Sequence, residues 1–532
     1  MKKSTLCLIL FLSCTASWSQ FKTIAEGPVF DEPETGFGKI LQLKNGNTLF
    51  FHVTFKEGID LKIYDSNHRF KTEKHINPSY GNLKNGSIDG IFEINNNATL
   101  LISESDARTP VLYRLIIDGN TGALKEDKKI AELTKMNRLE ELAMLFGDVP
   151  QPDFFVRKDP ASDNYAVAIF NTFSSDRNKR IEIIFYGADQ KELSRAYYLS
   201  PDNRFKYLLY IDMAIIGNQK VLVMAYAYNT AASGGKESEL VLATLDAGAT
   251  AVTLTELDFA KGLVAYGGIS RYNPVTKKIN LFVVVKSEEK GSKEESYIAY
   301  IDPFTKKLDH LIKSYPDIAD KKSMELFGKD WHYTGLPQNL YVNQDGTFSI
   351  IYEEIAISIS SIGNHRRTDT ELGSIAISKF DKDGNKVNEF LLPKYHNMID
   401  ARLFAFYQSL REWTGQLLYN GNQFKSFTYI NGNSKSYVLL NDIERNDKAI
   451  DKGKLTMITG VGECDGFYFE LKDKEILLKR QFVFDKPESK RDHNMALFTI
   501  SDYDNASNVY VTLKLEKEGK NKGVKIVWLQ PQ

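Results

Sequence analysis

Three stretches of this chain share one register. They are Leu43-Lys-Asn-Gly-Asn-Thr48-Leu-Phe-Phe, Ile94-Asn-Asn-Asn-Ala-Thr99-Leu-Leu-Ile and Val342-Asn-Gln-Asp-Gly-Thr347-Phe-Ser-Ile. Each opens on an apolar residue, passes through a tight Asn/Gly/Asp turn, places a Thr five positions on and runs into a strand. Asn and Gly tolerate the positive φ that such hairpin turns require. A second unit recurs between them: an apolar strand, an acidic turn, then an amphipathic strand. It is seen at Leu61-Lys-Ile-Tyr-Asp65, Leu115-Ile-Ile-Asp118-Gly-Asn-Thr-Gly122, Tyr300-Ile-Asp302-Pro-Phe-Thr and Ile377-Ser-Lys-Phe-Asp381-Lys-Asp-Gly-Asn. The acidic residue accepts backbone N–H groups inside the turn.

Together the two units make four short antiparallel strands. Repeated four-stranded units bury their faces against neighbours and close into a β-propeller. Units begin near Gly38, Ser87, Phe154, Phe205, Gly268, Leu336, Gln416 and Asn494. The last is short of residues, and Phe21 to Phe30 are expected to complete it, which joins the chain ends and removes sheet edges. The expected fold is all-β: a single β-propeller of seven or eight four-stranded blades over residues 20–532. Three segments break the strand pattern with helical spacing. They are 134–147 (Leu139, Leu142, Ala143, Phe146), 317–328, and 400–414, where Asp400 is placed to cap Leu403, Phe406, Tyr407 and Leu410. All three follow the last strand of a unit, so they are expected on one face of the disc.

The N-terminus reads as a leader over residues 1–19. Lys2 and Lys3 precede the apolar run Leu6 to Leu12, and Ser17 and Ser19 flank Trp18 at a small-residue cleavage site. The run is shorter than the roughly 20 residues a membrane span needs. Phe11-Leu-Ser-Cys14 loosely resembles a lipobox, so a chain lipid-anchored at Cys14 is the alternative to cleavage before Gln20. Tyr207 to Tyr228 is apolar but interrupted by Asp212 and by Asn218-Gln-Lys220, as in two strands around a turn. The 68 basic and 69 acidic residues leave no surplus to attract nucleic acid. Cys464 is the one cysteine after the leader, so the body holds no internal disulfide and no cysteine-based zinc site.

The strings Leu336-Pro-Gln-Asn-Leu-Tyr-Val-Asn-Gln-Asp-Gly-Thr347, Gly373-Ser-Ile-Ala-Ile-Ser-Lys-Phe-Asp-Lys-Asp-Gly384 and Tyr437-Val-Leu-Leu-Asn-Asp442 resemble exported β-propeller-type proteins of Gram-negative bacteria. The resemblance is clearest over 336–532. Its motifs are turn signatures, so it implies a fold and a place outside the cytoplasm, and it brings no catalytic residues.

Familiar chemistries leave no mark. Asp381-Lys-Asp383-Gly-Asn385 starts like a calcium loop, but its twelfth position is Leu392 where a bidentate carboxylate is needed. No histidine pair has the i, i+4 spacing of a helical zinc site. No Gly-x-Ser-x-Gly elbow or phosphate loop is present, and Gly267-Gly268 and Gly234-Gly235 lack the flanks of one. Glu353 and Glu354 are adjacent on a strand and point to opposite faces. No metal and no cofactor are implied. Aromatics supply the candidate ligand contacts: Trp331, His332 and Tyr333 after the second helical segment, and Trp413 in the third. The expected function is a non-catalytic binding or scaffold propeller for a protein or glycan, in the periplasm, at the outer membrane surface or outside the cell. The alternative is a carbohydrate-active hydrolase or lyase with acids around the central channel. Convergent carboxylates in a deep pocket would favour the enzyme, and a shallow aromatic face would favour binding.

Overall fold

The computed structural model describes residues 21–531 apart from 82, 84, 107–108, 147–148, 199–203, 230–236, 288–293, 363–364, 413, 433–434, 474, 490 and 519–520. The leader with Cys14 lies outside the described residues, as do Gly147, Gly234, Gly235 and Trp413. Eight sheets of four or five strands form a ring. Blade 1 takes residues 36–76, blade 2 86–132, blade 3 153–197, blade 4 207–257, blade 5 263–313, blade 6 336–392 and blade 7 428–482. Blade 8 takes 493–531 and is completed by the N-terminal strand Phe21–Glu26, which pairs with Asn521–Pro531 from Phe21↔Pro531 to Glu26↔Val527. The first strand of each blade is innermost, and inner strands of neighbouring blades touch around the ring.

The core is divided among the seams. Each of eight buried apolar clusters lies between two neighbouring blades. The closing seam, blade 8 against blade 1, is pinned by Trp528. Its indole N–H donates to Thr48 Oγ1 at 3.0 Å, and its ring meets Tyr64 and His68 at 5.2 and 4.9 Å. Thr48 is the recurring turn threonine of the first motif.

Four antiparallel strands return the chain to the face on which it entered. The inter-blade connections and the turns between second and third strands therefore share one face, the loop face. The remaining turns share the other, the turn face. All the recurring motifs lie on the turn face. Gly46, Asn95, Asn96 and Gly346 take the positive φ values (87°, 48°, 60°, 85°) that the motif demands. Asp65, Asp118, Asp302 and Asp381 each accept two or more backbone N–H groups at 2.7–3.0 Å. The loop face carries helix α1 (Arg138–Phe146) after blade 2, helix α2 (Asp317–Phe327) after blade 5 and the segment 393–427 after blade 6. Blade 6 also extends on this face as a two-stranded ribbon, Phe348–Ile362 with His365–Phe380.

Segment 393–427 departs from the sequence reading twice. Its helix, α3, is limited to Tyr407–Arg411; Asp400 sits at φ 52° and does not cap it, and Phe406 at φ 65° precedes it. Gln416 begins no blade. Gln416–Leu418 instead pairs with Gly36–Gly38 on the channel side of blade 1, and blade 7 starts at Thr428. The segment crosses the channel, so contacts with the surrounding inner strands override its local helical periodicity. Gly267-Gly268 belongs to the inner strand of blade 5, Leu263–Asn273, and not to a loop.

Candidate functional site

The crossing segment fills one sector of the channel. Phe406 N–H donates to Pro337 O on blade 6 at 2.8 Å, Gln408 reaches Phe427 O beside blade 7, and Thr499 on blade 8 donates to Gln423 O at 3.2 Å. Gly267 lets the segment close on blade 5: a Cβ there would stand 3.0 Å from the Phe406 ring. The inner strands of blades 6, 7 and 8 are thus covered, and we call 399–427 the plug. The sector facing blades 1–5 stays open as a cavity of about 500 Å³ on the loop face. Its walls are the starts of five inner strands on one side and Ala405 to Gly415 of the plug on the other.

Bulges shape this wall. The inner strands of blades 2, 4 and 5 each carry an irregularity near their start, which inserts Asp89, Ile211 and Tyr266. All three line the cavity. A bulge re-aims a side chain without lengthening the blade. Aromatic rings line much of the remainder: Phe37, Phe155, Tyr210 and Phe406, with Phe155 stacked on Tyr210 at 3.8 Å.

Two carboxyls face this space from adjacent blades. Asp89 is half-buried as a residue, but its Oδ2 is sealed from solvent and has no hydrogen-bond partner among the described residues. Burial, and then the charge of Asp153, hold the Asp89 carboxyl well above the usual range, against hydrogen bonds from Ser103. Asp153 opens the inner strand of blade 3, and its Oδ1 accepts the Phe154 N–H at 2.9 Å. Burial pushes its carboxyl up to about 6. Both carboxyls are thus raised, Asp89 well above the usual range and Asp153 to about 6, and environments that set two carboxyls apart are how such pairs divide acid and base roles.

The floor is an ion network. Asp212 accepts from Arg157, from Arg271 at 3.4 Å and from the Ser270 N–H. Arg271 also bridges to Glu412 of the plug at 2.9 Å, and Asn339 donates to the same carboxylate. Lys39 of blade 1 donates to Glu412 O at 3.1 Å and feels the charge of buried Asp502. Arg157 and Arg271 are paired with Asp212 and Glu412, so the charges of this network are spent on one another.

The aromatic candidates lie elsewhere on the loop face. Trp331 is 53% exposed, with its ring 5.7 Å from Phe327 of α2. His332 Nδ1 is 3.3 Å from Asp320. Tyr333 is fully buried, and its hydroxyl accepts the Ala376 N–H at 3.0 Å and donates to Ser374 O. α2 packs against the outer strand of blade 6. None of the three lines the cavity. Among the described residues no group of three or more His, Cys, Asp or Glu side chains is placed to hold a metal ion.

No protein-family model and no curated protein matches the chain. Solved structures do. Prolyl oligopeptidase B from Galerina marginata is 7% identical with a TM-score of 0.39, covering 91% of this chain and 55% of its own, so the chain spans about half that enzyme. A polysaccharide lyase is 9% identical at TM-score 0.33, over 86% of this chain and 93% of its own. An α-L-arabinofuranosidase from Fusarium graminearum is 10% identical at TM-score 0.33, over 71% and 92%. Likeness at this level carries no residue roles across, and the eight-bladed ring stands on the strand pairing itself.

Proposed function

We propose that this chain is an exported β-propeller whose channel-mouth cavity takes a neutral, hydroxyl-rich ligand of the saccharide class, on which Asp89 and Asp153 act as an acid–base pair. Aromatic walls suit the apolar faces of sugar rings. Floor charges already paired with one another give an ionic ligand little to hold. The observation that carries the reading is two carboxyls in one pocket, Asp89 raised by burial with an Oδ2 that has no hydrogen-bond partner among the described residues, and Asp153 raised to about 6. In hydrolysis the Asp89 proton passes to the leaving oxygen as the glycosidic bond breaks. Asp153 either takes a proton from the water that attacks the anomeric carbon, or attacks that carbon itself to form an ester, which water deprotonated by Asp89 then hydrolyses. Export rests on the leader pattern at residues 1–19, with a lipid anchor at Cys14 as its variant. Mass spectrometry of the mature N-terminus separates the two.

The test is an oligosaccharide array read for binding and for product between pH 5 and 8. Turnover should rise with pH through about 6 and be lost in Asp153→Asn and Asp89→Asn. Binding without turnover in the wild-type protein would return the non-catalytic scaffold reading. Affinity lost in Trp331→Ala and kept in both Asp variants would move the site to the aromatic rim of α2.

A further inference from the structure

The shape of the cavity carries a second step, which rests on the saccharide reading. A polymer bound through an internal unit needs two exits, one for each arm. A unit at the chain end needs one. Here blades 1–5 wrap one side of the cavity and the plug closes the other. Below, the channel is blocked by Asp212, Arg271 and Glu412, which link blades 4 and 5 to the plug, and by Lys39, which links the plug to blade 1. The plug is fixed in place by its own strand pairing, Gly36↔Leu418 to Gly38↔Gln416. Among the described residues, one way in remains, from the loop face.

We infer that the site is a dead-end pocket that accepts the terminus of a saccharide chain and rejects its interior, with the plug as the element that sets this choice. The lip of the plug wall is Leu410, 57% exposed beside the cavity. Its side chain stands where the second arm of an internally bound chain would run.

Linear oligosaccharides immobilised through the reducing end, through the non-reducing end, or through both ends decide the matter. The wild-type protein should bind one single-ended display and bind the doubly tethered chains at least about tenfold more weakly. Where turnover occurs, small end units should accumulate from the first time point without a ladder of intermediates. Leu410→Gly should narrow the difference between displays. Equal affinity for single and double tethering overturns the inference and leaves the saccharide reading standing. Absence of binding to every display overturns the saccharide reading, and this inference falls with it.

Discussion

The two faces of the disc are built by different rules. On the turn face, the same short motif recurs from blade to blade, and its acidic turns are satisfied by their own residues. Asp118, for example, accepts the Asn120 and Thr121 N–H groups, all within one turn. On the loop face, polar groups are satisfied across long separations. Lys394 and Glu353 form a pair 2.7 Å apart with both side chains fully buried, and Tyr407 of the plug donates to the same carboxylate. Local satisfaction leaves a repeat in the sequence. Distant satisfaction does not, and the carboxyls of the cavity sit where the chain is least repetitive. Positive φ at non-glycine residues occurs on both faces: at Asp400, Phe406 and Asn420 in the plug, and at His68, Asn95, Asn96, Gln190, Lys277, Lys306 and Asn508 in the turns.

The sharpest way to break this comparison is to cut one long-range pair. Lys394→Met leaves the Glu353 carboxylate buried without its counter-charge and should cost about 3–5 kcal/mol in denaturant unfolding. Adding Glu353→Leu should return much of that, since apolar replacement of both partners of a buried pair is often neutral. A loss under about 1 kcal/mol in the single variant would mean that the plug region is no more tightly coupled than a surface turn.

A turn-face counterpart should cost less. Gly384 sits at φ 91°, and a Cβ there would stand 2.5 Å from the Tyr300 hydroxyl of blade 5. Gly384→Ala is expected to cost about 1–3 kcal/mol. Gly248, at φ 77° with nothing within 4 Å, should lose only the backbone component, about 1 kcal/mol. Equal losses at both would show that turn conformation, and not contact with the next blade, makes these glycines necessary.

The same contrast explains what was legible in the sequence. The turns at Leu43 to Thr48, Ile94 to Thr99 and Val342 to Thr347 announce themselves because their chemistry is local. Closure of blade 8 by Phe21 followed from counting strands. The cavity was hidden because Asp89 and Asp153 are brought together by ring closure and share no spacing rule. A weaker signal existed: Asp212 is a lone charge in an otherwise apolar inner strand and already interrupted the run Tyr207 to Tyr228. The plug misled periodicity outright. Leu403, Phe406, Tyr407 and Leu410 have helical spacing, but only Tyr407–Arg411 coils, because the channel dictates the rest.

Acid should act on the two faces with opposite sign. Backbone and side-chain hydrogen bonds hold Asp65, Asp118, Asp302 and Asp381 below the usual carboxylate range. These groups stabilise the fold above their unfolded value of about 4, and the contribution is lost as pH falls through their lower folded values. Asp153 has a raised folded value, about 6. Charging it as pH rises costs stability, and the cost is relieved as pH falls from 7 toward 4. Thermal midpoints of wild type minus Asp153→Asn should therefore rise by about 2 °C over that window. Below pH 4 both proteins should lose stability in parallel. A flat difference curve would place Asp153 in water and remove the acid–base pair.

The smallest effect tests whether the turn face holds the ring together by charge. Lys44 of blade 1 reaches across two blades to Asp163 of blade 3 at 2.6 Å, beside Glu93 of blade 2 at 3.6 Å. The geometry is good, but the lysine side chain is 61% exposed. An exposed pair gains little Coulomb energy in water, gives up side-chain entropy and is screened by salt. The seams beneath are closed by buried apolar clusters between blades 1 and 2 and between blades 2 and 3. Lys44→Ala should therefore change stability by no more than about 0.5 kcal/mol, less still at high salt. A salt-sensitive loss several times larger would show that charges bridging the turns help lock neighbouring blades. Charge would then join the neutral bonds that already link blades on the turn face, such as Asn47 to Gly119 O and Asn273 to Gly346 O.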